Sequence, residues 1–328
     1  MIEGHGDDLY RYDNIKMNFS SNIYAGTDLS ELETFLSSRL DTIRSYPEPS
    51  AATLERMIAA DCGISPDEVL VTSGAVDAIY LIAQAWRDAG TCHVIQPTFR
   101  EYEDACRVFG YQEQEDGALC WLCNPNNPTG SVLTASEVMA LAERHRWLVV
   151  DQSYEDYTMS PLLAPAQAVK CDNVILLHSM TKRYAVPGLR LGFITARAGI
   201  ISLLREQYRP WAINALSLEA GKWLVERGET AIPDLNSYLA ETQRLRRALD
   251  RINRIGTMET MTNFFLCTIS EATASELKEY LAREHGILIR DASNFTGLTP
   301  HHFRIATQSP DQNDALVAAI RFFLNKQQ

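Results

Sequence analysis

The sequence predicts an α/β protein with a large, mostly parallel sheet and a second, smaller α+β region. Segments typical of strands and of helices alternate between residues 69 and 196, which is the order in which βαβ units occur. The strand segments are apolar almost throughout, which indicates that helices cover both faces of the sheet. Beyond about residue 200 the alternation gives way to long helices and then to shorter strands and helices.

Apolar runs and capping signals place the elements of the sheet region. Helices are predicted at 75–90, at 99–110 and from Thr134 to about residue 145, where Thr134 and Glu137 form a capping box. The strands before, between and after these helices are predicted at 69–74, 92–97, 118–125, 147–154, 173–179 and 190–196.

The rest of the chain is predicted to form the smaller region. A long polar helix is predicted from about residue 233 to 254, where it would connect the two domains. The last helix has Ser309 as its N-cap and Pro310 as its first residue. Residues 29–42 form the one clear helix predicted near the N-terminus. We therefore assign residues 45–230 to a large domain and residues 1–44 together with 231–328 to a small domain.

The composition is that of a soluble globular protein, with 46% hydrophobic and 22% charged residues in a chain of 328. The net charge of −12 argues against nucleic acid or an anionic membrane as the main partner, because both bind basic surfaces. The N-terminal residues lack the apolar core of a signal peptide, and no apolar run approaches the roughly 20 residues of a membrane span. We therefore predict a cytoplasmic protein.

The seven cysteines are scattered through apolar segments, which suits reduced thiols. Cys120 and Cys123 form a CxxC pair, for which a metal or redox role is the alternative to packing in a buried strand. A metal site of this kind needs a second pair or nearby histidines. Packing is therefore favoured, and no metal site is predicted.

Five polar motifs stand at or directly after the carboxyl ends of predicted strands, where open α/β sheets bind ligands. They are TSGAVDA (72–78), PTFREY (97–102), NPNNPTG (124–130), DQSY (151–154) and SMTKRYAVPGLR (179–190). In this order, and over almost the whole chain, they resemble the class I/II aminotransferase superfamily. The resemblance implies the aspartate aminotransferase-like fold-type I, with a mostly parallel seven-stranded sheet in the large domain. It also implies pyridoxal 5′-phosphate (PLP) as the cofactor.

Lys182 follows the strand segment 173–179 and has the most definite role in this resemblance. PLP chemistry needs an amine that bonds to the cofactor and moves protons at the substrate's Cα, and the resemblance gives this role to Lys182. A surface lysine at a strand end is the alternative, which its neighbours disfavour. Residues 73–76 open a helix, so their N–H groups favour an anion such as the cofactor phosphate. By resemblance the phosphate site comprises Gly74, Ala75, Val76, Ser179, Thr181 and Arg190.

The resemblance also assigns residues around the cofactor ring. Asp151 ends an apolar strand, where an unpaired carboxylate is costly. It would pair with the ring nitrogen, and a helix N-cap is the alternative. Tyr154 and Asn127 would hydrogen-bond the ring oxygen, and Phe99 would stack on the ring, although alone it is typical of a core residue. Tyr46 resembles the tyrosine that reaches the cofactor phosphate of the neighbouring subunit, which implies a homodimer with shared active sites.

Two arginines near the C-terminus and two N-terminal motifs concern the substrate. Arg290 and Arg304 lie in ILIRDASNF and HFRIA, and the N-terminal part contains HGDD and FSSNI. These segments are most similar to those of the threonine-phosphate decarboxylase family, in which the N-terminal segment covers the substrate. The resemblance assigns Arg290, Arg304, His5 and Asn22 to substrate binding. Two arginines suit a phosphorylated amino acid that carries two acidic groups.

Three functions remain open from the sequence. The first is decarboxylation of L-threonine O-3-phosphate, and the second is an aminotransferase of the related histidinol-phosphate type. The third is a non-catalytic effector domain on the same fold. The third is disfavoured because Lys182 and its partners are present, no helix-turn-helix extension is predicted, and the charge is acidic. The first two share the cofactor and differ in which bond at Cα breaks, which no motif states.

Overall fold

The computed structural model describes residues 8–326 of the chain. No helix within this range is long and apolar enough to cross a membrane. The helices are α1 (Ser30–Ser38), α2 (Ala52–Cys62), α3 (Ala75–Ala85), α4 (Glu101–Val108), α5 (Ala135–Ala142), α6 (Pro165–Ala168), α7 (Met180–Arg183), α8 (Ala198–Gln207), α9 (Ala215–Arg227), α10 (Leu235–Asp250), α11 (Ala274–His285) and α12 (Pro310–Asn325). The strands are β1 (Met17–Asn18), β2 (Val69–Thr72), β3 (Thr91–Val94), β4 (Gln112–Glu113), β5 (Leu119–Cys123), β6 (Trp147–Asp151), β7 (Val174–His178), β8 (Gly192–Ala196), β9 (Ile255–Thr257), β10 (Phe264–Ile269), β11 (Ile287–Leu288), β12 (Arg290–Asp291) and β13 (His302–Ala306).

A seven-stranded sheet has the strand order β2-β8-β7-β6-β5-β3-β4. Neighbouring strands from β4 to β7 are parallel, whereas β8 runs antiparallel to both β7 and β2. Helices α3, α4 and α8 cover one face, and α5, α6, α2 and α9 cover the other. Strands β5, β7 and β8 are buried at every residue, as the continuous apolar segments predict. The predicted α/β architecture with seven mostly parallel strands is therefore confirmed.

The strands of the seven-stranded sheet are shorter than the sequence predicts, and one of them, β4, is not predicted at all. The predicted segments 118–125 and 147–154 leave the sheet after Cys123 and Asp151. The polar residues that follow form loops at the carboxyl edge of the sheet. The sequence does not predict β4, because its two residues are polar and exposed at the sheet edge and no apolar alternation marks them.

The C-terminal part contains a four-stranded antiparallel sheet of order β12-β13-β10-β9, covered by α10, α11 and α12. Phe265 and Phe303 are among its fully buried residues. Strand β1 pairs in parallel with β11, so residues 17–18 join this part of the molecule. The last helix begins at Pro310 as predicted, and the Ser309 side chain accepts a hydrogen bond from the Gln312 N–H.

Helix α1 packs on the side of the larger sheet. Its Leu32 is buried in one cluster with Leu54 of α2 and Leu218 of α9. Our sequence assignment places residues 1–44 in the small domain, whereas this helix is covered by helices of segment 45–230. The division into two domains stays a prediction.

Cys120 and Cys123 are both buried in strand β5. Cys120 packs in the apolar cluster with α5, and Cys123 packs in the cluster on the opposite face with α3. Two strand residues separated by three positions point to opposite faces. Their predicted role as packing residues in a buried strand is therefore confirmed.

Candidate active site

A cavity of about 500 Å³ lies where β5, β6 and β7 end. Residues of the seven-stranded sheet and of the four-stranded sheet line it. This volume suits a cofactor together with a small substrate. Asp151 is the last residue of β6, and Ser179 follows the last residue of β7. The predicted site residues that line the cavity are Asn22, Ala75, Val76, Phe99, Asn127, Asp151, Tyr154, Ser179, Thr181, Lys182, Arg190, Arg290 and Arg304.

The turn before α3 and the Arg190 guanidinium form a cationic corner of this cavity. Gly74 caps α3 with φ +82° and ψ 170°, a conformation that is essentially restricted to glycine. A Cβ atom on Gly74 would lie 2.6 Å from Arg190 Nη2, so the missing side chain is what admits the guanidinium. The Ser73 N–H donates to Asp77 Oδ2 at 3.0 Å and fixes the turn. The first N–H groups of α3 and Arg190 fit a phosphate dianion.

Asp151 is held by two hydrogen bonds inside the cavity. Its Oδ1 accepts from the Ser153 N–H at 2.8 Å, and its Oδ2 accepts from the Tyr102 hydroxyl at 2.7 Å. Tyr102 is fully buried and stacks on Trp121 at 5.4 Å between ring centroids. Burial, with the negative charge of Asp151, raises the pKa of Tyr102, so its hydroxyl stays protonated and donates. These two bonds hold the Asp151 carboxyl group in one orientation at the cavity wall, which suits pairing with a ring nitrogen.

Lys182 lies in the single turn of helix α7 and faces the Tyr154 ring. The distance from Lys182 Nζ to the Tyr154 ring centroid is 5.6 Å. The Tyr154 hydroxyl accepts from Asn22 Nδ2 at 3.2 Å. Burial raises the pKa of Tyr154 to about 12, so the phenol keeps its proton at neutral pH. An amine and a phenol donor therefore stand together in the cavity.

Arg304 on β13 is buried, and its side chain hydrogen-bonds to two segments that are distant from it in the sequence. Its Nη2 donates to the Ser20 carbonyl oxygen at 2.6 Å, and its Nη1 donates to Asn127 Oδ1. Its guanidinium carbon lies 5.6 Å from the Phe264 ring centroid. These contacts hold the planar guanidinium group of Arg304 in one orientation at the cavity wall, which suits bidentate binding of a carboxylate or phosphate.

Arg290 on β12 stands directly opposite Arg304 on the neighbouring strand. Its Nη2 donates to Asn294 Oδ1 at 2.8 Å, and its guanidinium carbon lies 5.3 Å from the Phe295 ring centroid. Burial lowers the pKa of Arg290, although an arginine stays charged under all ordinary conditions. Side chains of directly paired residues lie on the same face of a sheet. The register therefore brings two cationic groups to one end of the cavity.

Among the described residues, two of the predicted site do not line this cavity. Gly74 only borders it, through its contact with Arg190. Tyr46 is 86% exposed and packs against Trp211 at 5.4 Å between ring centroids. His5 lies outside the described residues.

The structure adds residues that the sequence did not single out. Tyr102 donates to Asp151, Ser20 accepts from Arg304, and Asn294 accepts from Arg290. Tyr102 lies three positions after Phe99, one turn along the chain in the PTFREY motif. That spacing is the one signal that could have suggested it, because a buried aromatic residue is otherwise typical of a core.

The chain matches the family model described as "Aminotransferase class I and II" over residues 110–320. Among solved structures it is similar to L-threonine-O-3-phosphate decarboxylase from Porphyromonas gingivalis. The two sequences are 36% identical, and the structures superpose with a TM-score of 0.90 over 94% of this chain and 99% of that one.

Two curated relatives from Caldanaerobacter subterraneus subsp. tengcongensis match almost equally well but differ in name. One is a putative threonine-phosphate decarboxylase, 28% identical over 97% of this chain and 93% of its own length. The other is a histidinol-phosphate aminotransferase, 29% identical over 86% of this chain and 85% of its own length. The comparisons thus agree on the family and divide between two reactions.

Proposed function

Because the chain belongs to the class I and II aminotransferase family, we propose that it decarboxylates L-threonine O-3-phosphate. The product would be (R)-1-aminopropan-2-ol O-phosphate, an intermediate of cobalamin biosynthesis. The observation that carries this proposal is the opposed pair Arg290 and Arg304 at one end of the cavity. The likeness to a solved L-threonine-O-3-phosphate decarboxylase over 94% of the chain supports it.

The enzyme is PLP-dependent, and a solved structure of the same fold contains this cofactor. The cavity fits the cofactor at three points. The corner of Gly74 and Arg190 suits its phosphate, Asp151 suits its ring nitrogen, and Lys182 suits its aldehyde. When bound, the cofactor draws electrons away from the bonds at the Cα of an attached amino acid, which makes these bonds easier to break.

The side chains of this chain then decide which bond at Cα is broken. Arg290 and Arg304 bind the two anionic groups of the substrate and so orient the substituents of Cα. Lys182 Nζ carries the proton at Cα. In decarboxylation it returns a proton to Cα after CO₂ has left, whereas in transamination it removes the Cα proton first. Tyr154 and Asn127 hold the ring oxygen in either case.

An aminotransferase of the histidinol-phosphate type is the second candidate, and the 29% identical relative of that name favours it. Histidinol phosphate carries a phosphate group and no carboxylate. In a complex with such a substrate only one of the two buried arginines would bind an anionic group of it, whereas threonine phosphate offers one group to each. The paired arginines therefore favour threonine phosphate.

Two parallel assays distinguish these reactions. The first measures CO₂ release from L-threonine O-3-phosphate without any keto acid, and the second measures glutamate formed from histidinol phosphate and 2-oxoglutarate. We expect CO₂ at a rate that the keto acid does not change, because decarboxylation needs no amino acceptor. Glutamate formation without CO₂ would establish an aminotransferase and exclude the proposed decarboxylation.

We also propose that the enzyme is a homodimer in which Tyr46 serves the partner's active site. Tyr46 and Trp211 form an aromatic pair that is exposed on the single chain, and Ile43 nearby is exposed as well. Large exposed apolar groups of this kind mark contact surfaces. We assign this surface to contact with a second copy of the chain, because Tyr46 could then reach the active site of that copy.

Mixing two damaged chains tests the shared site. We expect Lys182→Ala and Tyr46→Phe chains, unfolded and refolded together, to recover up to about a quarter of wild-type activity, since half the dimers are hybrids with one intact site each. The same chains refolded separately and then combined briefly are the control. A fully active monomer in light scattering would contradict the shared site.

A further inference from the structure

The buried tyrosine Tyr157 joins two segments of the active site that are far apart in the sequence. It ends the 3₁₀ turn Glu155–Tyr157, which follows Tyr154 directly. Its hydroxyl donates to the Lys182 carbonyl oxygen at 3.0 Å and accepts from the Tyr24 N–H, also at 3.0 Å. The side chain is fully buried, and burial raises its pKa, so the hydroxyl stays protonated and can make both bonds.

On one side Tyr157 holds the segment 20–24, which the structure ties to the substrate end of the cavity. The Ser20 carbonyl accepts from Arg304, and Asn22 Nδ2 donates to the Tyr154 hydroxyl. Ser20, Asn22 and Tyr24 are alternate residues of this segment, and each makes one of the three bonds. A shift of the segment would therefore move the groups around Arg304 and Tyr154 together.

On the other side Tyr157 holds the backbone of the lysine itself. Lys182 lies in α7, a helix of only four residues, too short to be rigid by its own hydrogen bonds. Its carbonyl also accepts from the Ala185 N–H, at the longer distance of 3.4 Å. The bond from Tyr157 to this carbonyl is thus shorter than the bond from Ala185, and the position of Nζ depends on that backbone.

We propose that Tyr157 is a positioning residue that fixes Lys182 relative to the segment 20–24. Through it, the amine that carries the proton and the segment that supports Arg304 keep one relative position. This proposal rests on the role of Lys182 in the proposed function but not on the identity of the substrate. It explains why the fully buried Tyr157 hydroxyl makes one hydrogen bond to the segment 20–24 and one to the backbone of Lys182.

The test compares Tyr157→Phe with Tyr111→Phe. Tyr111 is also buried and donates its hydroxyl to a backbone carbonyl, that of Ala83, at 2.9 Å, and this bond involves neither Lys182 nor the segment 20–24. Both variants keep the ring and lose a hydroxyl that donates to a backbone carbonyl, and Tyr157→Phe also loses the bond from the Tyr24 N–H. A difference between them therefore reports what the Tyr157 hydroxyl joins and not the general cost of losing a buried hydroxyl.

The first measurement is hydrogen exchange of the peptide covering residues 20–24 in the protein without cofactor. We expect exchange about fivefold faster in Tyr157→Phe, since one buried hydrogen bond to the Tyr24 N–H is lost, and no change in Tyr111→Phe. The second measurement is the pH midpoint at which the visible absorbance of the bound cofactor changes. This midpoint reports the proton on the nitrogen of Lys182, and we expect it to shift in Tyr157→Phe alone.

Turnover gives a third measurement, with whichever substrate the wild type accepts. We expect kcat of Tyr157→Phe to fall on the order of tenfold to a hundredfold, because a displaced amine reacts poorly, while the cofactor's Kd stays within about twofold. Wild-type exchange and an unshifted midpoint in Tyr157→Phe would overturn the proposal, and so would equal changes in both variants.

If Tyr157→Phe does not fold, hydrogen exchange of the wild-type protein tests the proposal instead. The Tyr24 amide must then exchange at least about tenfold more slowly than an unprotected amide, and unprotected exchange overturns the proposal. The exchange and absorbance measurements need no substrate. A wild type that releases no CO₂ from threonine phosphate would thus count against the proposed decarboxylation and leave this inference standing.

Discussion

Replacing Lys182 by alanine is expected to abolish turnover while the fold and the affinity for the cofactor phosphate persist. In the proposed function the amine of Lys182 bonds to the cofactor and carries the proton at Cα, and the methyl group of alanine can do neither. Loss of a proton carrier alone typically costs about 10²- to 10⁴-fold, and loss of the covalent nucleophile adds to it. The phosphate corner formed by Gly74 and Arg190 does not involve Lys182, so cofactor should still bind.

The measurement is turnover of Lys182→Ala at saturating cofactor, with bound cofactor determined by dialysis. Lys170→Ala is the control, because Lys170 is an exposed lysine outside the cavity and should leave turnover unchanged. Wild-type turnover by Lys182→Ala would show that another group carries the proton, and the central assignment of the site would be wrong.

Replacing Arg304 by lysine is expected to lower kcat/KM by about 10²- to 10³-fold, although the positive charge is kept. Arg304 is 4% exposed and uses its two terminal nitrogens on the Ser20 carbonyl and on Asn127. Lysine offers a point charge in place of the planar fork, so it cannot keep both supports and also bind an anion through two bonds. A loss of about 10²- to 10³-fold corresponds to about 2.7–4.1 kcal/mol, which is the range of one to two hydrogen bonds to a charged group.

Arg283→Lys is the matched control for this substitution. Arg283 is 76% exposed and pairs with Glu279 on the surface of α11, and exposed pairs of this kind contribute little. Its kcat/KM should stay within about twofold of the wild type. An Arg304→Lys enzyme with wild-type kcat/KM would mean that the substrate anion binds elsewhere, with Arg290 as the next residue to test.

The local pattern of the sequence determined the elements that carry the site. Uninterrupted apolar runs predict six strands of the large sheet, because burial on both faces requires apolar residues at every position. The N-cap at Ser309 and the capping box at Thr134 are confirmed, since a cap depends on residues three positions apart. Polar residues at or directly after the strand ends predict Asp151 and Lys182 at the cavity, because parallel strands end at one edge.

Only the tertiary structure decided how these residues are paired. Arg304 meets Asn127 across 177 positions of sequence and Ser20 across 284, and no local pattern encodes contacts at such separations. The register of β12 against β13 sets Arg290 opposite Arg304, whereas a shift of one residue would turn one arginine to the other face. Tyr102 and Tyr157 look like core residues in the sequence. Their hydroxyls acquire roles through the positions of Asp151 and Lys182, which packing of the whole chain fixes.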